Sequence, residues 1–278
     1  KISSQELPGK ILALTPEDVN LENINLVFLA MQEAQYKDSN IEMLLTNIAK
    51  QKIPSVSIMN IPPYSYLKNF NLTNLDRIKT LYKSYEIWEK FDLNFLTHCS
   101  ADPQVYKPDL KKINYINVRL ASNFKISNFK DLNSSNLLKE ISSKVKSSRF
   151  KTKNTEIRMP INLNVYDSAH ISLSKWPMLI TGNYRCIDPT GIISIKDAVF
   201  QNIEESKIIY NDVMKLCSTI GAEENFLINF DTYLKAAKNL TAPSSVARAA
   251  YSGSQNFERV DKLVLYLAED KGLQIHKL

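Results

Sequence analysis

The sequence predicts an α/β domain followed by an all-helical one, and three observations carry that prediction. Residues 24–59 read as strand, helix, strand. From about residue 168 strand signals stop, and helical periodicity runs nearly to the end. Composition is that of an ordinary globular chain, 278 residues with 44% hydrophobic and 23% charged. That allows a sizeable core and excludes a disordered or fibrous protein.

The first clear element is Ile24-Asn25-Leu26-Val27-Phe28-Leu29-Ala30, an apolar run of strand length suited to burial on both faces. Ser39 or Asn40 then caps a helix whose apolar positions Ile41, Leu44, Leu45 and Ile48 fall at helical spacing, with Lys50 and Lys52 at its end. Ile53 to Met59 is a second buried strand, and a right-handed crossover places the two in parallel. Asn60-Ile61-Pro62-Pro63 stops that strand at its carboxyl end, the edge where open α/β sheets bind ligands. Residues 62–108 read as an insertion whose helical centre (Leu75, Ile78, Leu81, Tyr82, Tyr85, Trp88) forms a local core.

Ile113 to Leu120 alternates as a strand, and Leu137, Leu138, Ile141 and Val145 mark another amphipathic helix. Lys139, Lys144, Lys146 and Arg149 read as its solvated face. The change of pattern sets a domain boundary near residues 160–167, dividing the chain into 1–165 and 166–278. Helices are expected near 168–186, 195–220, 222–238, 243–252 and 256–271, with Gly221 and Gly272 where helices end. A cleft between the domains is the default site.

Lys+Arg 35 against Asp+Glu 29 gives +6, a mild excess that suits an anionic ligand but is too dispersed for nucleic acid. Cys99, Cys186 and Cys217 are widely spaced and odd in number, which reads as reduced, buried thiols in a cytoplasmic protein. No Cys-x-x-Cys exists and His98, His170 and His276 are scattered, so no metal site is expected. No apolar run approaches the ~20 residues that cross a bilayer. The chain starts at Lys1 without Met or a signal-peptide core, and is expected to begin partway into a longer reading frame. Its six glycines never lie closer than nine positions, so no Gly-x-Gly-x-x-Gly turn or Walker loop can be written.

One string narrows the reading: Thr241-Ala242-Pro243-Ser244-Ser245-Val246-Ala247-Arg248-Ala249, then Gly253, then Phe257-Glu258-Arg259-Val260-Asp261-Lys262-Leu263-Val264. It resembles the C-terminal domain of the ketopantoate reductase (2-dehydropantoate 2-reductase) family, in which a Ser-Ser-Met segment precedes a Glu on the next helix. Leu26 to Gln35 resembles the family's buried strand and Lys-Ala-x-Gln turn. Met59-Asn60 resembles its His-Asn-Gly strand end, and Lys175-Trp176 through Asn183 its first C-terminal helix. The resemblance covers most of the chain outside 62–108. It implies a Rossmann-type N-terminal domain, here without the strand and glycine-rich turn that open the family's fold. The second domain it implies is all-α, of the 6-phosphogluconate dehydrogenase C-terminal type.

The activity implied is NADPH-dependent hydride transfer to a 2-oxo acid or related small carbonyl compound, other than ketopantoate itself, with a homodimer as the implied assembly. By resemblance, Ser245 is the substrate-binding serine with Ser244 beside it, Glu258 holds the substrate's hydroxyl end, and Asn60 lies near nicotinamide and substrate. Gln32 stands where the family has a Lys after the buried strand, and Asn183 adjoins Gly182, where the family has an Asn. The family's catalytic Lys falls on Met178, whose thioether donates no proton. Lys175, three residues earlier on roughly the same helix face, is the candidate cation beside the carbonyl oxygen.

Each candidate also has a plain structural reading: Ser244 or Ser245 as a helix cap after Pro243, Glu258 with Lys262 as a surface pair, Asn60 as a strand terminator. Tyr184 and Arg185, on the same helix, either meet an anionic ligand or, for Arg185, brace the domain interface through backbone carbonyls. The alternative function is a catalytically silent relative that binds a small anion in the interdomain cleft. On the enzymatic reading, Glu258→Ala is expected to weaken ligand binding and leave the fold intact.

Overall fold

The computed structural model describes residues 12–72, 75–106, 109, 111, 117–151, 155–189 and 191–276. β1 (Val27–Leu29), α1 (Ser39–Lys50) and β2 (Ser55–Ile58) form the expected unit, with β1 and β2 parallel and Val27 opposite Ser55. The helix cap is Asp38, one residue before the expected pair: its carboxylate accepts from the N–H groups of Asn40 and Ile41. An anionic cap also complements the positive end of the helix.

Within 62–108 the chain forms a 3₁₀ segment over Tyr64–Asn69, then α2 (Asp76–Lys79) and α3 (Tyr85–Glu89), and then returns to the sheet as β3 (Leu96–Tyr106). The insertion is therefore shorter than its sequence pattern predicts. β3 is parallel to β2 and antiparallel to β4 (Asn117–Ser127). Residues 113–116 of the strand expected from Ile113 lie outside the described residues, as does Pro108. α4 (Leu132–Ser147) is capped by Asp131, whose carboxylate accepts from the N–H of Ser134 at 2.8 Å. A hairpin of β5 (Arg149–Lys151) and β6 (Glu156–Arg158) leads to β7 (Ile161–Tyr166), parallel to β4. The sheet order is β1-β2-β3-β4-β7. α4 covers one face, burying Leu138 against Val56, Ile126 and Leu163.

The helical domain follows. A 3₁₀ helix over Ile171–Lys175 runs into α5 (Trp176–Thr181), and a second 3₁₀ turn spans Asn183–Arg185. The helix expected to continue to 186 gives way to a small hairpin, β8 (Ile187–Asp188) and β9 (Gly191–Ile192). Pro189 cannot continue a hydrogen-bonded helix, and Gly191 adopts φ 139°, a conformation open to glycine. The expected 195–220 helix is two, α6 (Ile195–Phe200) and α7 (Ile203–Thr219), because the Asn202 side chain accepts from the N–H of Glu205 and starts a new helix. α8 (Phe230–Ala237), α9 (Ser245–Tyr251) and α10 (Val260–Asp270) complete the domain.

The aromatics of the insertion are core, as expected, but that core is shared. Leu29, Tyr36, Tyr64, Leu67, Trp88 and Leu96 pack in one cluster with Leu173, Trp176, Val213, Leu263 and Leu267 of the helical domain. Phe70 packs at a tilt on His170 and edge to face against Trp176, and the N–H of Asn71 donates to the carbonyl of Ile220 at 3.2 Å. Arg77 lies over the Tyr266 ring, 3.8 Å from its centroid, and bonds to Glu269. Cys99, Cys186 and Cys217 are buried and unpaired. Among the described residues no helix is long and apolar enough to cross a membrane, and no cluster of His, Cys and acidic side chains is arranged to hold a metal.

Candidate functional site

Glu258 lies in the loop that feeds α10, and its side chain reaches the carboxyl ends of β1 and β2. Oε1 accepts from the N–H of Glu33 at 3.3 Å; Oε2 accepts from those of Asn60 at 2.8 Å and Ile61 at 3.3 Å. The residue is 7% exposed. Burial raises its carboxyl above the usual 4.5, and the three amides, which favour the anion, pull it back. No cation among the described residues is paired with it. The loop is fixed from behind by Tyr184, whose hydroxyl donates to the Glu258 carbonyl at 2.5 Å and accepts from the N–H of Val260 at 3.1 Å.

A second buried carboxylate adjoins the first. Glu33, 3% exposed, accepts from the N–H groups of Lys83 at 2.9 Å and Ser84 at 2.8 Å. It thereby ties the turn after β1 to the insertion. Burial raises its carboxyl too, against the same kind of amide stabilisation. Sequence reasoning misses Glu33, since an acid after a strand has an ordinary surface reading, and it reads Tyr184, with Arg185, as a contact for an anionic ligand, whereas the Tyr184 hydroxyl anchors the Glu258 loop.

The serine pair divides. Ser244 is buried, its Oγ accepting from the N–H of Ala247 at 3.1 Å and donating to the carbonyl of Asn183 at 2.6 Å, so it caps α9 and pins the Asn183 turn. Ser245 is exposed. The Asn183 turn thus links the two ends of the candidate set, with Ser244 on its first residue and Tyr184 leading to Glu258 on its second. Asn60 is half-buried at the end of β2; Gln32 is exposed and locked in a reciprocal cap with Gln35. Arg185 is a brace: it bonds to Glu205 at 3.0 Å, Ser206 at 2.8 Å and the Thr181 carbonyl at 3.3 Å.

Lys175 is half-buried at the end of the 3₁₀ helix that packs on β3. Burial, and after it the positive charge of Lys175, push the His98 imidazole down to about 3. His98 was read from sequence only as a scattered histidine, yet it is 1% exposed and its Nδ1 lies 2.9 Å from Ser57 Oγ. Gly182, where an Asn is implied by resemblance, leaves no room for one: a Cβ there would meet the Tyr233 hydroxyl and come within 2.9 Å of Ile195 Cγ2.

No protein-family profile and no curated protein matches this chain in sequence. Solved structures do match. D-mandelate dehydrogenase with NADH and anilino(oxo)acetate aligns with 94% of this chain and 74% of its own, at 11% identity and a TM-score of 0.58. The 2-dehydropantoate 2-reductase of Methylococcus capsulatus aligns with 94% and 73%, at 9% identity and a TM-score of 0.58. The chain has the ketopantoate reductase fold. A Staphylococcus aureus ketopantoate reductase, described as dimeric, aligns with 90% of this chain and 72% of its own, at 12% identity and a TM-score of 0.50.

In a Rossmann-type domain a nicotinamide sits beyond the carboxyl ends of the strands and its pyrophosphate on a glycine-rich turn. Gln32 and Asn60 stand just past the carboxyl ends of β1 and β2. On the ketopantoate reductase fold, Gln32 and Asn60 are the residues that would border a bound nicotinamide, and the 278 residues hold no glycine-rich turn for its phosphates.

Proposed function

We propose that the chain is a ketopantoate-reductase-like oxidoreductase that uses a nicotinamide dinucleotide, NADPH by the sequence resemblance, on a 2-oxo acid or related small carbonyl compound other than ketopantoate. One observation carries the reading: a carboxylate from the helical domain, Glu258, meets the amide ends of β1 and β2. That is the carboxyl edge where open α/β sheets hold their ligands. The NADH and oxo-acid ligands of the matched D-mandelate dehydrogenase support the same class. Bound nicotinamide supplies a hydride. Lys175 supplies charge or a proton at the carbonyl oxygen, Asn183 and Ser245 hold polar groups of the substrate, and Ser244 and Glu258 fix the loops that carry them. Residues 1–165 form the nucleotide-side domain and 166–278 the substrate-side domain of a cytoplasmic homodimer.

A second reading, a catalytically silent relative, is favoured by a specific observation. Both oxygens of Glu258 and the Ser244 hydroxyl are engaged with backbone groups, and position 178 carries a thioether. Calorimetric titration of the full chain with NADPH and NADH, followed by nicotinamide absorbance with a panel of 2-oxo acids, separates the two. Binding with turnover is expected. Binding without turnover establishes the silent relative, and no binding of either nucleotide ends the oxidoreductase reading.

A further inference from the structure

The five-stranded sheet has an open edge at β1 and another at β7. β1 is three residues long, whereas β7 runs for six, Ile161–Tyr166, or about 20 Å. The carbonyls of Pro160 and Tyr166 accept from the N–H groups of Ser122 and Asn128, so the even-numbered residues of β7 turn their backbone groups toward β4. Ile161, Leu163 and Val165 turn theirs outward, and no further strand pairs with them among the described residues. Of these outward groups the Leu163 carbonyl is engaged, accepting from the Ser142 hydroxyl of α4 at 2.7 Å. A carbonyl oxygen has a second lone pair to offer.

A groove of about 330 Å³ lies between this edge and α4, lined by Lys139, Ser142, Lys146, Asn164, Val165 and Tyr166. Lys139 and Lys146 stand three residues before and four after Ser142, so all three share one face of α4. Lys139 pairs at 3.5 Å with Asp167, just past the carboxyl end of β7, in an exposed contact that holds it weakly. Lys146 lies toward the amino end, where Arg158 donates to the Asn162 side chain at 3.1 Å. In the adjoining hairpin Arg149 and Arg158 oppose each other in register, a like-charge pair that repels and that a nearby anion would relieve. The carboxylates nearby are Asp167, also bonded to Asn128, Glu140, paired with Lys144 at 2.6 Å, and the exposed Glu156. Neither Lys146 nor Arg158 forms an ion pair among the described residues.

We infer that the β7 edge and its groove form a docking site for an extended acidic segment of a partner protein, which adds to the sheet as a further strand. Its backbone pairs with the outward groups of Ile161, Leu163 and Val165. Side chains of a strand alternate between faces, so acidic residues of the segment meet Lys139 and Lys146 on the α4 side and Arg158 on the side of Asn162. Charge selects this occupant. A second copy of the chain would bring the same cations face to face, and the chain already carries a net charge of +6. The site is at the opposite edge of the sheet from β1, and it stands apart from the oxidoreductase reading.

Fluorescence anisotropy of a labelled hexapeptide of alternating Glu and Val, titrated with the full chain, tests the site. Binding is expected, weakened about tenfold or more by Lys146→Glu and by Arg158→Glu. The same peptide with Lys for Glu, or with Pro for Val, which removes backbone donors, should bind about tenfold more weakly or less. Cations beside an open edge also serve simply to keep other strands away; no binding of the acidic peptide would show that they do only this, and would overturn the proposal. Equal binding of the proline peptide, or of heparin with the same dependence on Lys146, overturns strand addition in favour of a bare polyanion site. Hydrogen exchange on the wild type gives the answer without variants. The acidic peptide should slow the amides of Ile161, Leu163 and Val165, and unchanged exchange there overturns the proposal. Protection already present in the free chain and lost on dilution would make the occupant a second copy, which overturns it as well.

Discussion

At Glu258 three backbone N–H groups from the α/β domain find their acceptor on a side chain of the helical domain. Removing that acceptor strands buried donors, each worth roughly 1–3 kcal/mol when left unpaired. Glu258→Ala is thus predicted to lose on the order of 3 kcal/mol in urea denaturation, and Glu258→Gln, which keeps one acceptor oxygen, distinctly less. An Ala variant as stable as wild type would show that the amides find other partners. This replaces the expectation from sequence that the substitution spares the fold. The pair also sets a pH dependence. Glu33 and Glu258 both have carboxyls raised above 4.5, chiefly by burial, so the folded chain holds their protons more tightly than the unfolded one. The stability they contribute is full below pH 4.5 and declines as pH rises through the raised values. His98, lowered by burial to about 3, works the opposite way between there and its usual 6.5. The contribution of Glu258 is isolated by the difference between the melting profiles of wild type and Glu258→Gln, which should widen toward acid pH, where wild type gains stability that the neutral variant does not.

Elements in this chain end where a side chain can take over the backbone's bonding. Asp38, Asp131, Asn202 and Ser244 each start a helix by accepting from its first free N–H groups. Gly182 closes α5 for a different reason, the lack of space beside Tyr233 and Ile195. Restoring the Asn implied by resemblance is therefore predicted to destabilise the protein. Gly182→Asn should cost about 1–3 kcal/mol through overpacking, read as a lower denaturation midpoint at unchanged m-value. A neutral outcome would mean that α8 can withdraw Tyr233 at little cost. Capping residues are legible from sequence to within a position or so, because a cap acts over three residues. The Gly182 contact is not, since Tyr233 and Ile195 come from two other helices.

Across the whole molecule, the insertion joins the domains. Trp88 in α3 and Trp176 in α5 lie in one apolar cluster, and Phe70, Asn71 and Arg77 bind the insertion to α5, α7 and α10. A continuous core predicts a single cooperative transition despite the two-domain architecture. Near-ultraviolet circular dichroism, which reports both tryptophans, and far-ultraviolet dichroism should give coincident melting curves. Two resolved transitions would show that the domains unfold independently.

What the residues determined locally was the first strand-helix-strand unit, the amphipathic helix α4, the change from α/β to helical architecture, and the chain positions of the motif around Ser244 and Glu258. These rest on periodicity and capping, which act over a few neighbours. Only the tertiary structure decided that Glu258 binds an amide of Glu33, 225 residues away, that Ser244 turns inward while Ser245 faces water, and that Tyr184 anchors the Glu258 loop. Such pairings depend on which surfaces meet after folding, and nothing in the spacing along the chain specifies the partner.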